Sequence, residues 1–304
     1  MSNIILIFVY LLLGVALQYV KWFPTNSYKL INKFVINVCL PALALYYIPK
    51  IQWDNKLLYL IGVAWIGFAI SFFLFRFIGK KYGWSKKLIG CLIITAGLGN
   101  TSFLGFPIVN ALYGSEGLKM AILVDQPGTF VLVSTLAIVV ATMYSKDEIS
   151  GGTIIKKVML FPPFVCFLVS CVANILDLDF HDYIQFGLTK LGSLLTPLAI
   201  ISVGLQLHFD SRSQHWKFLW IGLAYKLFIM PAILFVLYVF ALKQSGLMIQ
   251  VALIEAAMAP MIMASIVATS HGLKPRLSSM MIGFGIPISF VTLAFWYFVL
   301  QFLG

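Results

Sequence analysis

Long apolar runs, separated by short polar segments, follow one another along the whole chain. Because about 20 apolar residues cross a bilayer as one helix, the pattern predicts ten transmembrane helices, which we number as spans 1 to 10. They cover residues 3–20, 28–48, 57–79, 88–113, 117–144, 154–176, 182–208, 216–242, 246–271 and 276–303. The sequence therefore predicts an all-α polytopic membrane protein.

Span 4 contains a stretch that cannot continue as a regular helix. Residues 95–114 read TAGLGNTSFLGFPIVNALYG, with four glycines and Pro107 around the polar run Asn100-Thr101-Ser102. Glycine weakens a helix, and proline removes a backbone donor and clashes with the preceding turn. Freed backbone at membrane depth is tolerated only where it lines a cavity or is buried against protein. Broken helices of this kind are typical of substrate sites in secondary transporters.

Proline and glycine landmarks recur in the same order in the two halves of the chain. Pro41 and Pro197 are 156 residues apart, Gly114 and Gly272 are 158 apart, and Pro127 and Pro287 are 160 apart. Since each half holds five spans, the second half enters the membrane from the opposite side. The chain is thus predicted to form two inverted five-helix repeats, residues 1–146 and 147–304. Helices 4 and 9 are predicted to be broken and to cross, because span 9 carries Pro260 near the position equivalent to Ser102.

Composition and charge agree with a membrane protein. Hydrophobic residues make up 61% of the chain, charged residues make up only 10%, and the mean hydropathy is +0.99; about a quarter of the residues in soluble proteins are charged. The net charge is +11, and most of the lysines and arginines lie in short loops between spans. We therefore expect contact with membrane lipid and no binding of nucleic acid. Fourteen lysines and arginines follow odd-numbered spans and four follow even-numbered ones. The positive-inside rule therefore places both termini outside.

The chain lacks the residue sets that membrane-embedded enzymes and metal sites need. An intramembrane aspartyl protease needs two facing aspartates, and only Asp125 lies in the interior of a span, since Asp182 is at the very start of span 7. A rhomboid-type protease needs a serine in a Gly-x-Ser-x-Gly context, which is absent from the sequence. The four cysteines and four histidines do not have metal-ligand spacing. We therefore expect no enzyme activity, no metal site and no cofactor.

Four polar or ionisable residues are predicted near the middle of the membrane. Asn100 lies in span 4, Asp125 in span 5, Lys226 in span 8 and Glu255 in span 9. An unpaired charge there costs at least about 2.5–3.5 kcal/mol, so such residues face a cavity or one another. Asp125 and Glu255 are the candidates to carry a coupling ion, Na⁺ or H⁺. Lys226 is a candidate charge partner, and a structural pair of Lys226 with either acid is the alternative. Gln126 points about 100° away from Asp125 in a regular helix.

The residues around the two breaks predict an anionic substrate. Asn100, Thr101 and Ser102 offer amide, hydroxyl and backbone N–H groups at the start of a half-helix that Pro107 can open, and a helix N-terminus favours anions. The predicted substrate-binding residues are Asn100, Thr101, Ser102, Pro107, Pro260 and Met261. The ligand indicated is a small organic anion such as a carboxylate or dicarboxylate. The alternative is that these small residues only let helices approach closely.

Motifs in spans 4, 9 and 10 resemble those of the auxin efflux carrier family. They are Asn100-Thr101-x3-Gly105-x-Pro107 with a closing Tyr113-Gly114, Glu255-Ala-Ala-Met-Ala-Pro260, and Gly283-Phe-Gly-Ile-Pro287. The resemblance covers nearly the whole chain. That family includes bacterial members labelled malate or malonate permeases and the plant auxin exporters. The short connector between the halves resembles the bacterial members, which implies the bacterial inner (plasma) membrane as the location.

The resemblance implies a transporter of the elevator type. Helices 1, 2, 6 and 7 would form a scaffold, helices 3–5 and 8–10 would form a moving transport unit, and Asn100 would meet the substrate carboxylate. A more distant similarity to sodium–bile-acid symporters implies that Glu255 takes the place of a sodium-binding glutamate. The plant exporters have glutamine there and are not ion-driven. Three alternatives therefore stay open: an uncoupled facilitator or exporter of an auxin-like aromatic carboxylate, a channel, and a sensor. The oligomeric state also stays open, and a homodimer is one possibility.

Overall fold

The computed structural model describes residues 2–24, 26–52, 54–145, 162–207 and 215–302. The regular elements in these residues are helices. They are α1 (Ser2–Leu17), α2 (Ser27–Phe34), α3 (Leu40–Tyr47), α4 (Leu58–Lys81), α5 (Lys86–Gly97), α6 (Phe106–Val124), α7 (Val131–Ser134), α8 (Leu136–Tyr144), α9 (Pro162–Ile175), α10 (Asp182–Ser193), α11 (Leu195–Gln206), α12 (Trp216–Ala224), α13 (Met230–Phe235), α14 (Leu247–Ala256), α15 (Ile262–Ser270) and α16 (Pro275–Gln301). Helices of π type cover Val35–Cys39, Thr101–Gly105, Asp125–Phe130, Tyr225–Ile229 and Val236–Ala241, and 3₁₀ turns cover Ile48–Lys50 and Asn55–Leu57.

Six helical runs within the described residues are long and apolar enough to cross a membrane. They are Ser27–Lys50, Asn55–Lys81, Thr101–Tyr144, Asp182–Gln206, Trp216–Ala241 and Pro275–Gln301. Three shorter apolar helices are Ile4–Leu17, Pro162–Ile175 and Leu247–Ala256. The prediction of an all-helical polytopic membrane protein is confirmed. The division into ten spans and two inverted repeats stays a prediction, and its boundary at residues 146 and 147 lies outside the described residues.

Two of the π-helical turns are explained by prolines that follow them. The turns Val35–Cys39 and Tyr225–Ile229 each end two residues before a proline. Proline has no N–H, so the carbonyl four residues earlier loses its helical donor. For Pro231 that carbonyl belongs to Leu227, and the indole N–H of Trp296 donates to it at 2.9 Å. The freed backbone group is therefore satisfied by another helix, as a lipid environment requires.

Helix contacts divide the protein into two compact units. The described residues of unit one fall within Met1–Asn55, Ser102–Ile122 and Lys156–Leu207. Those of unit two fall within Lys56–Thr101, Leu123–Ile155 and His208–Gly304. Each unit draws on both halves of the chain. The predicted repeats, and the predicted scaffold and transport sets, stay predictions.

Unit one is held together by close approach of helix backbones. A Cβ atom added to Gly14 of α1 or to Gly204 of α11 would collide with the backbone of the other helix. The side-chain amide of Gln18 donates to the carbonyls of Gly204 at 2.7 Å and Leu207 at 3.1 Å. Small residues at such an interface let two membrane helices gain van der Waals contact that larger side chains would prevent.

Unit two is built around α5. Every residue of this helix from Leu88 to Gly97 is buried. The Ser71 hydroxyl of α4 donates to the Ile93 carbonyl at 2.9 Å, and a Cβ atom on Gly97 would lie 3.0 Å from both Phe68 and the same hydroxyl. The end of α5 is therefore fixed against α4, which sets the position of the interruption that follows.

Candidate functional site

The predicted interruption in span 4 is confirmed. Helix α5 ends at Gly97, Leu98 has an extended backbone (φ −117°, ψ 131°), and helical structure resumes as a π-helix at Thr101. The end of span 4 is marked by Gly114, whose positive φ of 66° bends α6. Glycine reaches this conformation without the steric cost that a Cβ atom imposes. Span 4 is therefore interrupted where its glycines lie.

The predicted interruption in span 9 is also confirmed, and the two interruptions meet inside unit two. Helix α14 ends at Ala256, and α15 begins at Ile262 after an extended Met261. Gly99 and Pro260 face each other as an antiparallel pair. The Asn100 N–H donates to the Ala259 carbonyl at 2.8 Å, and the Met261 N–H donates to the Leu98 carbonyl at 3.0 Å. Backbone groups freed by each break are thus satisfied by the other.

Pro260 has a defined place at this crossing. Lacking an N–H, it fits a position where the neighbouring residues Ala259 and Met261 make the backbone hydrogen bonds. Its ring lies against α16, where a Cβ atom on Gly285 would come within 2.7 Å of the proline Cδ. Gly285, the second glycine of the Gly283-Phe-Gly-Ile-Pro287 motif, therefore makes room for the proline of span 9.

Two polar side chains at the interruptions are buried and lack hydrogen-bond partners among the described residues. Asn100 is 2% exposed and Glu255 is 1% exposed. The Asn100 side-chain nitrogen has no acceptor there, and neither carboxylate oxygen of Glu255 has a donor. Burying such groups unpaired is costly, and in native structures each case needs a reason. One donor and two acceptors are thus free to bind a ligand.

Asp125 is held in a hydrogen-bond network at the start of the π-helix Asp125–Phe130. Its Oδ1 accepts from the Thr101 hydroxyl at 2.6 Å, and its Oδ2 accepts from the Gln126 amide at 2.9 Å. All three side chains are buried. The network links the π-helix that follows the first break to the predicted coupling residue. Asp125 also interacts electrostatically with Glu255.

Lys226 lies fully buried in the π-helix Tyr225–Ile229. Its ammonium group donates to the Ala256 carbonyl at 2.7 Å and to the Met230 sulfur at 3.4 Å. It interacts electrostatically with Glu255, but the contact that it makes is with backbone at the end of α14. Lys226 therefore interacts with Glu255 electrostatically and without a direct hydrogen bond. The alternative that Lys226 and an acid form a purely structural pair stays a prediction.

Ser102 and Pro107 lie in unit one, and the structure does not group them with the residues just described. Ser102 is buried in the π-helix Thr101–Gly105, and Pro107 lies in the first turn of α6. Pro107 lines a cavity of about 370 Å³ within unit one. The described residues that line this cavity carry no charge, and its polar and aromatic members are Tyr10, Tyr46, Tyr47, Phe106, Asn110, Thr189, Ser193 and Thr196.

Sequence reasoning missed the contact made by Gln126 and the three tyrosines that line the unit one cavity. Neighbouring residues on a helix do not face each other, so the Gln126 side chain is expected to point away from Asp125. In the structure it folds back and donates to the Asp125 carboxylate. The tyrosines of the unit one cavity come from α1 and α3, which are not adjacent in the sequence. Their apolar neighbours gave no signal that they would line one space.

Within the part of the chain that the structure describes, no three histidine, cysteine, aspartate or glutamate side chains come together as metal ligands. The polar groups at the crossing and in the adjoining network are instead two amides, two carboxyl groups, an ammonium group and a hydroxyl. Such groups can hold an organic anion and exchange a proton or a monovalent cation. They fit a binding and release cycle at membrane depth.

Comparison with known proteins shows the family to which the chain belongs. A family model described as "Membrane transport protein" matches residues 1–297. The chain belongs to this family, the auxin efflux carrier family that its motifs resemble. It is similar to an uncharacterised transporter of Methanothermobacter thermautotrophicus (28% identity over 302 residues, 98% of each chain). It is also similar to one of Methanocaldococcus jannaschii (25% identity over 309 residues, 99% of this chain and 98% of the relative). The protein is therefore an integral membrane transport protein and not an enzyme.

Proposed function

We propose that the protein is a secondary active transporter for a small organic anion, such as a carboxylate or dicarboxylate. The observation that carries the proposal is the buried, unpartnered Asn100 amide beside the pair of interrupted helices. An amide N–H donates well to a carboxylate, and a hydrogen bond to a charged group is stronger than one between neutral groups. The Asn100 amide is the proposed donor to the substrate, and Pro260 and Met261 shape the backbone next to it.

Coupling to an ion is proposed to run through Glu255 and Asp125. The two carboxyl groups interact electrostatically, and the Glu255 oxygens have no donor among the described residues. Two nearby carboxyl groups in a water-poor site favour sharing a proton or a cation. Both carboxyl groups are connected to the crossing. Glu255 lies just before the break in span 9, and Asp125 accepts a hydrogen bond from Thr101, which follows the break in span 4.

The proposed working cycle is elevator-type alternating access in a ten-helix fold of two inverted repeats. The described residues of the predicted scaffold spans 1, 2, 6 and 7 fall within unit one, and those of spans 3, 8, 9 and 10 fall within unit two. Spans 4 and 5 contribute to both units, because Ser102–Ile122 belongs to unit one. The charge asymmetry of the loops supports an orientation with both termini outside, and the proposed location in a bacterial inner membrane rests on the resemblance of the short connector to bacterial members of the family.

A second candidate, uncoupled export of an aromatic carboxylate, is supported by the unit one cavity. Three tyrosines and a phenylalanine line a volume of about 370 Å³, which lies in the range of small-molecule sites. Aromatic rings favour an aromatic ligand through stacked or edge contacts. The absence of charge among its described lining residues favours a compound with one carboxylate over a dicarboxylate.

A thermal-shift screen of the purified protein tests both candidates. We expect at least one carboxylate, from a set of malonate, malate and indole-3-acetate, to raise the melting temperature, because a ligand present at 100 times its Kd stabilises the folded state by about 2.7 kcal/mol. The neutral amide of the same compound should give no shift. Stabilisation by dicarboxylates favours the first candidate, and stabilisation by indole-3-acetate alone favours the second. A screen in which no carboxylate exceeds chloride at equal ionic strength contradicts the proposed substrate class.

A further inference from the structure

The ammonium group of Lys226 lies at the carboxyl end of α14, where the helix is interrupted. Its Nζ donates to the Ala256 carbonyl at 2.7 Å. The side chain is fully buried, and among the described residues it makes no hydrogen bond to a carboxylate. A buried ammonium group held by backbone is costly unless that backbone presents a favourable potential. Its position therefore needs a physical reason.

The end of α14 provides that reason. The last four carbonyls of a helix lack intrahelical donors and carry the negative end of the helix dipole. For Leu253–Ala256, the backbone amides of Ala257 and Met258 donate to the first three carbonyls at 3.1–3.3 Å. The fourth carbonyl, that of Ala256, accepts from Lys226. A charge-assisted bond thus completes the helix end.

The other broken segment leaves room for this ammonium group. A Cβ atom on Gly99 would lie 2.9 Å from the Lys226 Nζ and 3.3 Å from its Cε. Any side chain at that position would therefore push the ammonium group away from the crossing. Gly99 is also the residue that pairs with Pro260. The lysine head consequently lies against the two interrupted segments together.

The surroundings of the ammonium group have the chemistry of a cation site. Secondary transporters coordinate Na⁺ with carbonyls at the carboxyl ends of half-helices and in unwound backbone. Here one such carbonyl belongs to Ala256, and the unpartnered carboxylate of the preceding Glu255 interacts electrostatically with both Lys226 and Asp125. The oxygen atoms and negative charges that would attract Na⁺ are present, and the Lys226 ammonium group already donates a hydrogen bond to the Ala256 carbonyl.

We propose that the Lys226 ammonium group is a tethered cation that takes the place of a free Na⁺ ion at the end of α14. This inference deepens the proposed transport function and rests on it. The protein then binds and moves its substrate without Na⁺. With Lys226, Asp125 and Glu255 all ionised, the cluster carries one net negative charge, which a single proton neutralises. The proton is the coupling ion that remains.

Thermal melting of the purified full-length protein in NaCl and in choline chloride tests this inference. The wild-type protein should melt at the same temperature in both salts. Lys226→Met keeps an unbranched side chain of similar length and removes the charge. The variant should melt at a lower temperature than the wild type, and its melting temperature should rise by roughly 2–4 °C when about 100 mM choline is replaced by Na⁺. The matched control is Lys217→Met, which removes an exposed lysine nine residues earlier in the same helical run and should show no response to Na⁺.

The outcomes separate a tethered cation from a structural lysine. A structural role alone predicts that Lys226→Met melts lower and that Na⁺ does not restore it, which overturns the inference. Specific stabilisation of the wild-type protein by Na⁺ also overturns it. If Lys226→Met yields no folded protein, Lys226→Gln, which also removes the charge, takes its place in the same comparison, and Na⁺ that fails to raise its melting temperature overturns the inference. Carboxylate binding by the wild-type protein is measured separately, so a failure of the proposed transport function is recognised on its own.

Discussion

Asn100→Ala is expected to weaken binding of the transported carboxylate by about 10- to 100-fold, because a hydrogen bond to a charged group is worth about 1.5–3 kcal/mol. The stability of the protein should change little. The Asn100 side-chain nitrogen has no acceptor among the described residues, so its removal breaks no hydrogen bond of the folded state. Loss of affinity without loss of melting temperature is the signature of a ligand contact. Thermal-shift titration with the carboxylate from the screen measures both quantities.

The matched control for this variant is Asn37→Ala. Asn37 is exposed, and its side-chain amide donates to the Lys33 carbonyl of the same helical run. This variant should keep wild-type affinity. Asn100→Asp, which replaces the donor by a second negative charge, should bind the carboxylate at least as weakly as Asn100→Ala. Wild-type affinity in Asn100→Ala contradicts the assignment of the substrate contact.

Glu255→Gln is expected to abolish gradient-driven accumulation while leaving exchange at equilibrium. A gradient of one pH unit stores about 1.4 kcal/mol per proton, enough for a tenfold accumulation. The variant should accumulate its substrate to a ratio of about 1 because it lacks the group that carries the proton. Its melting temperature should not fall, since the Glu255 carboxylate oxygens accept no hydrogen bond from any described residue. Uptake of a labelled carboxylate into proteoliposomes with and without the gradient measures the effect.

Glu116→Gln is the control for this prediction. Glu116 is exposed and pairs with Lys119 at 2.7 Å in unit one. Exposed ion pairs contribute little to stability, so the variant should couple transport as the wild type does. Undiminished gradient-driven accumulation in Glu255→Gln would show that the coupling ion binds elsewhere or that transport is uncoupled.

The positions of the helix breaks and of the buried polar residues could be predicted from the sequence. Gly97, Gly99 and Pro260 interrupt two apolar runs where local propensity alone disfavours a helix, and both interruptions are present. Charged residues deep in apolar runs must be shielded from lipid, and Asp125, Lys226 and Glu255 are all buried. These features depend on local chemistry and on the thickness of the membrane.

The partners of those polar groups could not be predicted, because they depend on tertiary geometry of a few ångströms. Lys226 bonds the Ala256 carbonyl because α14 ends there, and helix ends are uncertain by several residues in sequence reasoning. Gln126 reaches Asp125 by folding its own side chain back. The unit one cavity depends on how α1, α3, α6, α10 and α11 fit together, which no local pattern encodes.

Counterflow in proteoliposomes tests most directly whether this protein is an alternating-access carrier. Vesicles loaded with an unlabelled carboxylate that the protein binds are diluted into a trace of the labelled compound. We expect a transient accumulation of label above equilibrium, saturable with external substrate, because a carrier returns loaded and exchanges one molecule for another. Label that enters in proportion to its concentration, without overshoot or saturation, would identify a channel and rule out alternating access.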